Sequence, residues 1–133
     1  MSVRFAGYAA IFDRPDRGGD IVRKGAFARA LERIRDIPLL WQHKAATVIG
    51  TIEHLAEDER GLRVIGALGR TADARRAASL IEGGNIDGLS FGYRVREAKS
   101  AGALRELIEL DLIEISLVAS PMQPMARVHA VQQ

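Results

Sequence analysis

Polar and apolar residues alternate along several stretches of this chain. Residues 3–12 (VRFAGYAAIF) read as a first strand with small residues in it, while 61–69 (GLRVIGALG) and 88–99 (GLSFGYRVREAK), and in part 46–58 (ATVIGTIEHLAED), run at or near a period of two. That is the period of a strand, whose successive side chains point to opposite faces. The cleanest case is 88–99, with Leu89, Phe91, Tyr93 and Val95 on one face and Ser90, Gly92, Arg94 and Arg96 on the other. Segments 46–58 and 61–69 flank a turn-like EDERG and read as a hairpin. PLLWQH (38–43) reads as a short strand. Residues 104–121 (LRELIELDLIEISLVASP) are long for one strand and are expected to bend or break near Asp111. The tail ARVHAVQQ (126–133) is either an edge strand or a frayed end.

Two segments change period. In 25–36 (GAFARALERIRD), Phe27, Ala30, Leu31 and Ile34 recur at spacings of three and four, one apolar stripe of a helix that Pro38 ends or follows. In 71–84 (TADARRAASLIEGG), Thr71 is an N-cap and Gly83–Gly84 a stop, with Ala74, Ala77, Leu80 and Ile81 on the buried side. DRPDRGGD (13–20) has turn composition. Strands joined by hairpin-like gaps argue against a parallel α/β sheet. The pattern predicts a mostly β fold with some α: a compact, mainly antiparallel β-barrel or curled sheet of about six or seven strands, with two or more helices packed outside. No repeat, low-complexity tract or long linker divides the chain, so residues 1–133 are expected to form a single domain.

Composition narrows the chemistry. The chain has no cysteine, which excludes a disulfide framework and a thiolate nucleophile. No apolar run reaches the ~18–20 residues that span a bilayer, and the first residues do not read as a signal peptide; no membrane role is expected. The net charge is only +2, with basic and acidic residues interspersed. A nucleic-acid surface would concentrate its cations in a stripe, so no nucleic-acid partner is expected. Phosphate-loop and dinucleotide fingerprints are absent, and GALGRT lacks the lysine of a phosphate loop. His43, His54 and His129 do not have metal-ligand spacing. Neither a metal nor a cofactor is expected.

Three residues remain as a chemical set. His43 is a natural general base, since imidazole titrates near neutral pH. Its plainer reading is a histidine half-buried beside Trp41. Ser90 lies between Gly88 and Gly92, where the backbone is free to approach a ligand. It would be a nucleophile only with a base beside it; otherwise it is a small residue where a strand bends. Glu114 interrupts an apolar strand, and a carboxylate there must be paired or face solvent. A histidine N–H would satisfy it and fix the useful tautomer. Asp111, Glu109 and Asp87 are rivals for that place. Arg94 and Arg96 share the Ser90 face, to assist an oxyanion or simply to face water. The pair Lys44 and His43 is a poor dyad, because neighbours on a strand point oppositely.

In order along the chain, FAGYAAIFD, GDIVRKGAF, IPLLWQHKAATVIGTI, EDERGLRVIGAL, IDGLSFGYRV and LDLIEISLVASPMQPMA resemble blocks of the tailed-phage prohead (capsid maturation) serine proteases, which are related to the herpesvirus assemblin proteases. The resemblance covers roughly residues 3–128. It implies His43 as base and Ser90 as nucleophile. Herpesvirus relatives use a second histidine as third member. Here the closing block has none, and His129 lies beyond Pro121 and Pro124, so Glu114 is preferred. The resemblance also implies a β-barrel ringed by helices and a serine endopeptidase that cuts scaffold and capsid-protein N-terminal segments, and often itself. The setting it implies is an immature capsid in the cytoplasm of a bacterial host, with a phage, a prophage or a gene transfer agent as source. Dimerisation occurs in the herpesvirus branch, so a homodimer is one expected state. Two other classes stay open: a non-catalytic capsid- or scaffold-binding barrel, and a small hydrolase acting on another ester or amide.

Overall fold

The structure, a computed structural model, describes residues 3–33 and 36–133. Eight strands and two helices follow in the order β1 (Arg4–Ile11), β2 (Asp20–Val22), α1 (Ala28–Arg33), β3 (Pro38–Trp41), β4 (Lys44–Glu57), β5 (Gly61–Leu68), α2 (Ala72–Glu82), β6 (Gly88–Ala101), β7 (Leu104–Val118) and β8 (Val128–Gln132). Both expected helices form. α2 is capped as its sequence predicts: Thr71 Oγ1 accepts from Ala74 N at 3.1 Å, and Ala74, Ala77 and Ile81 face the core. α1 is shorter than its stripe suggested. Phe27 is buried but precedes the first helical turn, and Ile34 lies outside the described residues.

The strands do not close into a barrel. They form one eight-stranded sheet with the order β2-β7-β3-β4-β5-β1-β8, and β6 pairs with β7 alone. Closing a barrel needs a full ladder between its first and last strands. Here the β8 end of the sheet approaches β6 through a single bridge, Gly88 to Arg127, flanked by two hydrogen bonds: Val128 N to Asp87 O at 2.7 Å and Leu89 N to Ala126 O at 2.9 Å. The sheet is also mixed. β6 runs antiparallel along one edge of β7, while the other edge carries two short strands, both parallel to it. β2 covers Arg105–Leu107 and β3 covers Ile115–Leu117.

β7 is therefore the spine of the molecule. Near Asp111, where a bend or break was expected, it does not break but its pairing with β6 shifts: Gly92 opposes Glu114 and the next residue, Tyr93, opposes Leu112. Paired on both edges, its last residues, 114–118, are buried on both faces: Leu117 and Ile115 are fully covered, and so is Ser116. The core extends from there to Phe91 and Phe27, whose rings meet edge to face at 5.2 Å. At the far end of the order, residues 128–132 form an edge strand on β1 rather than fraying. No helix among the described residues is long and apolar enough to cross a membrane.

One ion pair pins β2 to β7. Asp20 is buried, and its two carboxylate oxygens each accept a hydrogen bond from Arg105, from Nε and Nη2, at 2.9 Å. This bidentate contact holds the Asp20 carboxyl below its ordinary pKa. A carboxylate with a depressed folded-state pKa adds stability above the unfolded-state pKa, and that stability is lost as pH falls through the folded value. The guanidinium is half exposed, which weakens the pair. Asp20→Asn is accordingly expected to cost about 1–2 kcal/mol at neutral pH in urea unfolding. The difference from the parent chain should shrink below the usual carboxylate range.

Candidate active site

His43 is not on a strand. β3 ends at Trp41, which pairs with Lys44 across a two-residue turn made of Gln42 and His43. Both turn residues have positive φ, 50° and 61°. That is the combination a tight hairpin of this handedness needs, and it is normally supplied by Asn-Gly. Without glycine each residue stores strain of about 1 kcal/mol or more, which the surroundings must offset. They do so through the end of β7. Gln42 N donates to Leu117 O at 2.9 Å, Ala119 N donates to Gln42 Oε1 at 3.1 Å, and His43 N donates to Ser116 Oγ at 3.1 Å.

The turn swings the imidazole over the face of β7 that carries Glu114. His43 Nδ1 and Glu114 Oε1 lie 2.5 Å apart. Since an ionised carboxylate only accepts, Nδ1 carries the proton and Nε2 is left for proton exchange. The hydrogen bond to Glu114 raises the His43 pKa above the ordinary 6.5, against an opposing push from desolvation. Glu114 is buried, and its other oxygen, Oε2, accepts from Ser116 Oγ at 2.6 Å. The reading of Glu114 as a solvent-facing residue is thus overturned. Its rivals are engaged elsewhere: Asp111 with Arg96 at 2.6 Å, Glu109 with Arg29 at 3.3 Å and Asp87 with Arg127 at 2.7 Å. Arg94 is exposed.

Ser90 reaches the same place from the other edge of β7. It pairs directly with Ser116, and Gly92 pairs with Glu114, so these four residues share one face of two strands. Ser90 and His43 both line a cleft of about 110 Å³, with Leu89, Phe91, Met122 and Gln123 among its walls. No hydrogen bond joins Ser90 Oγ to the imidazole among the described residues. Nor is that oxygen sealed in, since no buried side-chain oxygen among them lacks a partner. It opens into the cleft. Gly92 explains itself here: a Cβ at this position would lie 2.4 Å from Glu114 Oε1 and 2.9 Å from Cγ and Cδ. The glycine leaves the room that the carboxylate occupies.

Of the three residues singled out from the sequence, Ser90 and His43 thus line one cleft, and Glu114 lies behind His43, bonded to its ring. Ser116 and Gln42 join them and were not foreseen. Ser116 shares the alternating face of Glu114, which was the available signal; nothing in LLWQHK marks a strained turn. His54 lies on β4, and His129 on β8 with its ring 5.9 Å from that of Tyr8. No group of three His, Cys, Asp or Glu with the geometry to hold a metal ion occurs among the described residues.

Comparison with known proteins bears on fold and descent. The family model described as Caudovirus prohead serine protease matches residues 1–133. The prohead protease of Enterobacteria phage HK97 is 36% identical over 118 residues, covering 77% of this chain and 52% of that protein. The chain spans about half the length of this curated relative. Among solved structures, the bacteriophage T4 capsid assembly protease is similar with a TM-score of 0.71 at 12% identity, over 89% of this chain and 82% of that one. The KSHV protease in complex with a hexapeptide phosphonate inhibitor is similar with a TM-score of 0.67 at 12% identity, over 100% of this chain and 66% of that one. At such identities these two likenesses bear on the fold alone. The full-length family match and the HK97 relative bear on descent, and by them the chain belongs to the caudovirus prohead serine protease family.

Proposed function

We propose that this chain is a serine endopeptidase that cuts scaffold and capsid-protein segments during prohead maturation, with residues 1–133 acting as one catalytic domain. The observation that carries the reading is the His43–Glu114 hydrogen bond beside Ser90 in one cleft. Ser90 Oγ attacks the scissile carbonyl carbon, and its proton passes to His43 Nε2. The tetrahedral adduct collapses as His43 returns that proton to the leaving amine and the C–N bond breaks. Water then releases the acyl group by the same route in reverse order. Glu114 holds the proton on Nδ1 and offsets the charge of the imidazolium. The substrate is an extended polypeptide, and the work is done inside the immature capsid in the bacterial cytoplasm.

The direct test is co-expression with the capsid protein and scaffold of the same source, with product masses read out, alongside labelling by a serine-reactive phosphonate. New termini in the capsid or scaffold protein, with the label mapped to Ser90, are the expected result. Intact polypeptides and no label on Ser90 would remove the peptidase reading and leave a binding protein. Cleavage of small acyl substrates alone would point instead to a different hydrolase.

A smaller change should also register. Gly92→Ala places a methyl group where the Glu114 carboxylate now sits. Misplacement of a catalytic group by about 1 Å can cost ~10²-fold in rate, and a loss of that order in kcat is expected. Wild-type kcat in this variant would show that Glu114 has room to move without consequence.

A further inference from the structure

Ser116 has no place in the proton transfers above, yet it is the most completely buried polar residue of the site, with 0% of its surface exposed. Its hydroxyl makes two hydrogen bonds. It donates to Glu114 Oε2 at 2.6 Å and accepts from the backbone N–H of His43 at 3.1 Å. A single oxygen thus touches the carboxylate that orients the imidazole and the main chain that carries it. Each partner gains a hydrogen bond from that contact. The buried carboxylate has Nδ1 on one oxygen and Ser116 on the other. The His43 amide belongs to a turn whose two residues both have positive φ without glycine, so it needs outside bonds to stay as it is.

We infer that Ser116 is a positioning residue, which acts through Glu114 and the His43 turn to fix the imidazole against its carboxylate and toward Ser90. This rests on the peptidase reading, but the geometry it invokes does not. A hydroxyl is suited to the task because it donates and accepts at once. Alanine would leave Oε2 and the His43 N–H without a partner. Cysteine would fill the space but donate only weakly.

Ser116→Ala and Ser116→Cys in the full chain test the inference by two independent readouts. The first is the proton NMR resonance of the His43 Nδ1–H, expected downfield in the parent chain because it is donated to the Glu114 carboxylate, and assigned by its loss in His43→Gln. In both variants it should move upfield or broaden, at a temperature where circular dichroism shows the fold intact. The second is steady-state cleavage, where kcat should fall about 10–100-fold with KM little changed, since substrate contacts remain. Gln42→Ala loosens the same turn but spares the Ser116–Glu114 contact, so it should affect the resonance less than either Ser116 variant. An unmoved resonance in both folded variants would overturn the inference, as would wild-type kcat. Lowered thermal stability with the resonance unmoved would assign Ser116 to packing alone and overturn it too. Should the parent chain cleave nothing, the peptidase reading fails while the resonance still decides the role of Ser116. If the alanine variant does not fold, the cysteine variant carries the decision.

Discussion

Ser90→Ala is expected to lower the rate of capsid-protein cleavage by about 10⁵–10⁶-fold while leaving the fold intact. The size follows from the chemistry: the variant keeps the base, the carboxylate and the cleft but has no oxygen to attack the carbonyl. Residual activity would come only from substrate binding and oxyanion stabilisation. The innocuous effect on folding follows from the environment. Ser90 has little exposed surface, but its hydroxyl opens into the cleft and is not required by any neighbour. Its removal therefore strands no buried donor, and stability should change by less than about 1 kcal/mol. Single-turnover cleavage followed by mass spectrometry, with a thermal melt of both proteins, measures the two quantities. A variant retaining more than a few per cent of the parent rate would exclude Ser90 as nucleophile.

The second large effect concerns Glu114 and reaches beyond a loss of rate. Glu114→Gln keeps the shape of the side chain but removes the charge and the guaranteed acceptor. A fall in kcat of about 10³–10⁴-fold is expected, because the imidazole loses both its fixed tautomer and the group that stabilises its protonated form. The pH profile should move as well. His43 must be neutral to accept the Ser90 proton, and Glu114 holds its pKa above the ordinary 6.5. In the parent chain the rate should therefore fall as pH drops through that raised value. In the glutamine variant the acid limb should shift to lower pH, since the neutral amide no longer favours the imidazolium. Profiles of kcat/KM between about pH 5 and 9 show both features. An acid limb in the same place in both proteins would mean that Glu114 does not govern His43.

Much of this site was legible in the sequence because its parts lie where local pattern is informative. The alternation in GLSFGYRV puts Ser90 and Gly92 on one strand face. The carboxylate in LDLIEISLV stands out because an apolar strand has no other use for it. Alternation also located most of the strands, and the Thr71 cap located α2. Closure of the sheet was not legible. It depends on whether the ladder between distant strands is complete, and the single bridge at Gly88–Arg127 leaves no mark in either segment. The parallel pairing of β2 and β3 with β7 was hidden for the same reason, since their partners are more than 70 residues away. The unbroken β7 was missed because its length argued for a bend or break near Asp111, whereas the pairing of that residue with Arg96 accommodates its charge within the strand. The Gln42–His43 turn was missed because neither residue is one that such turns usually select. It is held from outside, by β7.

The position of β7 bears on how this chain can drift over generations. One strand end presents Glu114 and Ser116, anchors the His43 turn and registers Ser90 beside them. The requirements of the chemistry fall on a few contiguous residues and the two segments that touch them. β5 and β8 contribute no residue to the cleft, so their surface positions can change without retuning the reaction. Lineages built on this plan can diverge widely at one end of the sheet and remain alike at the other.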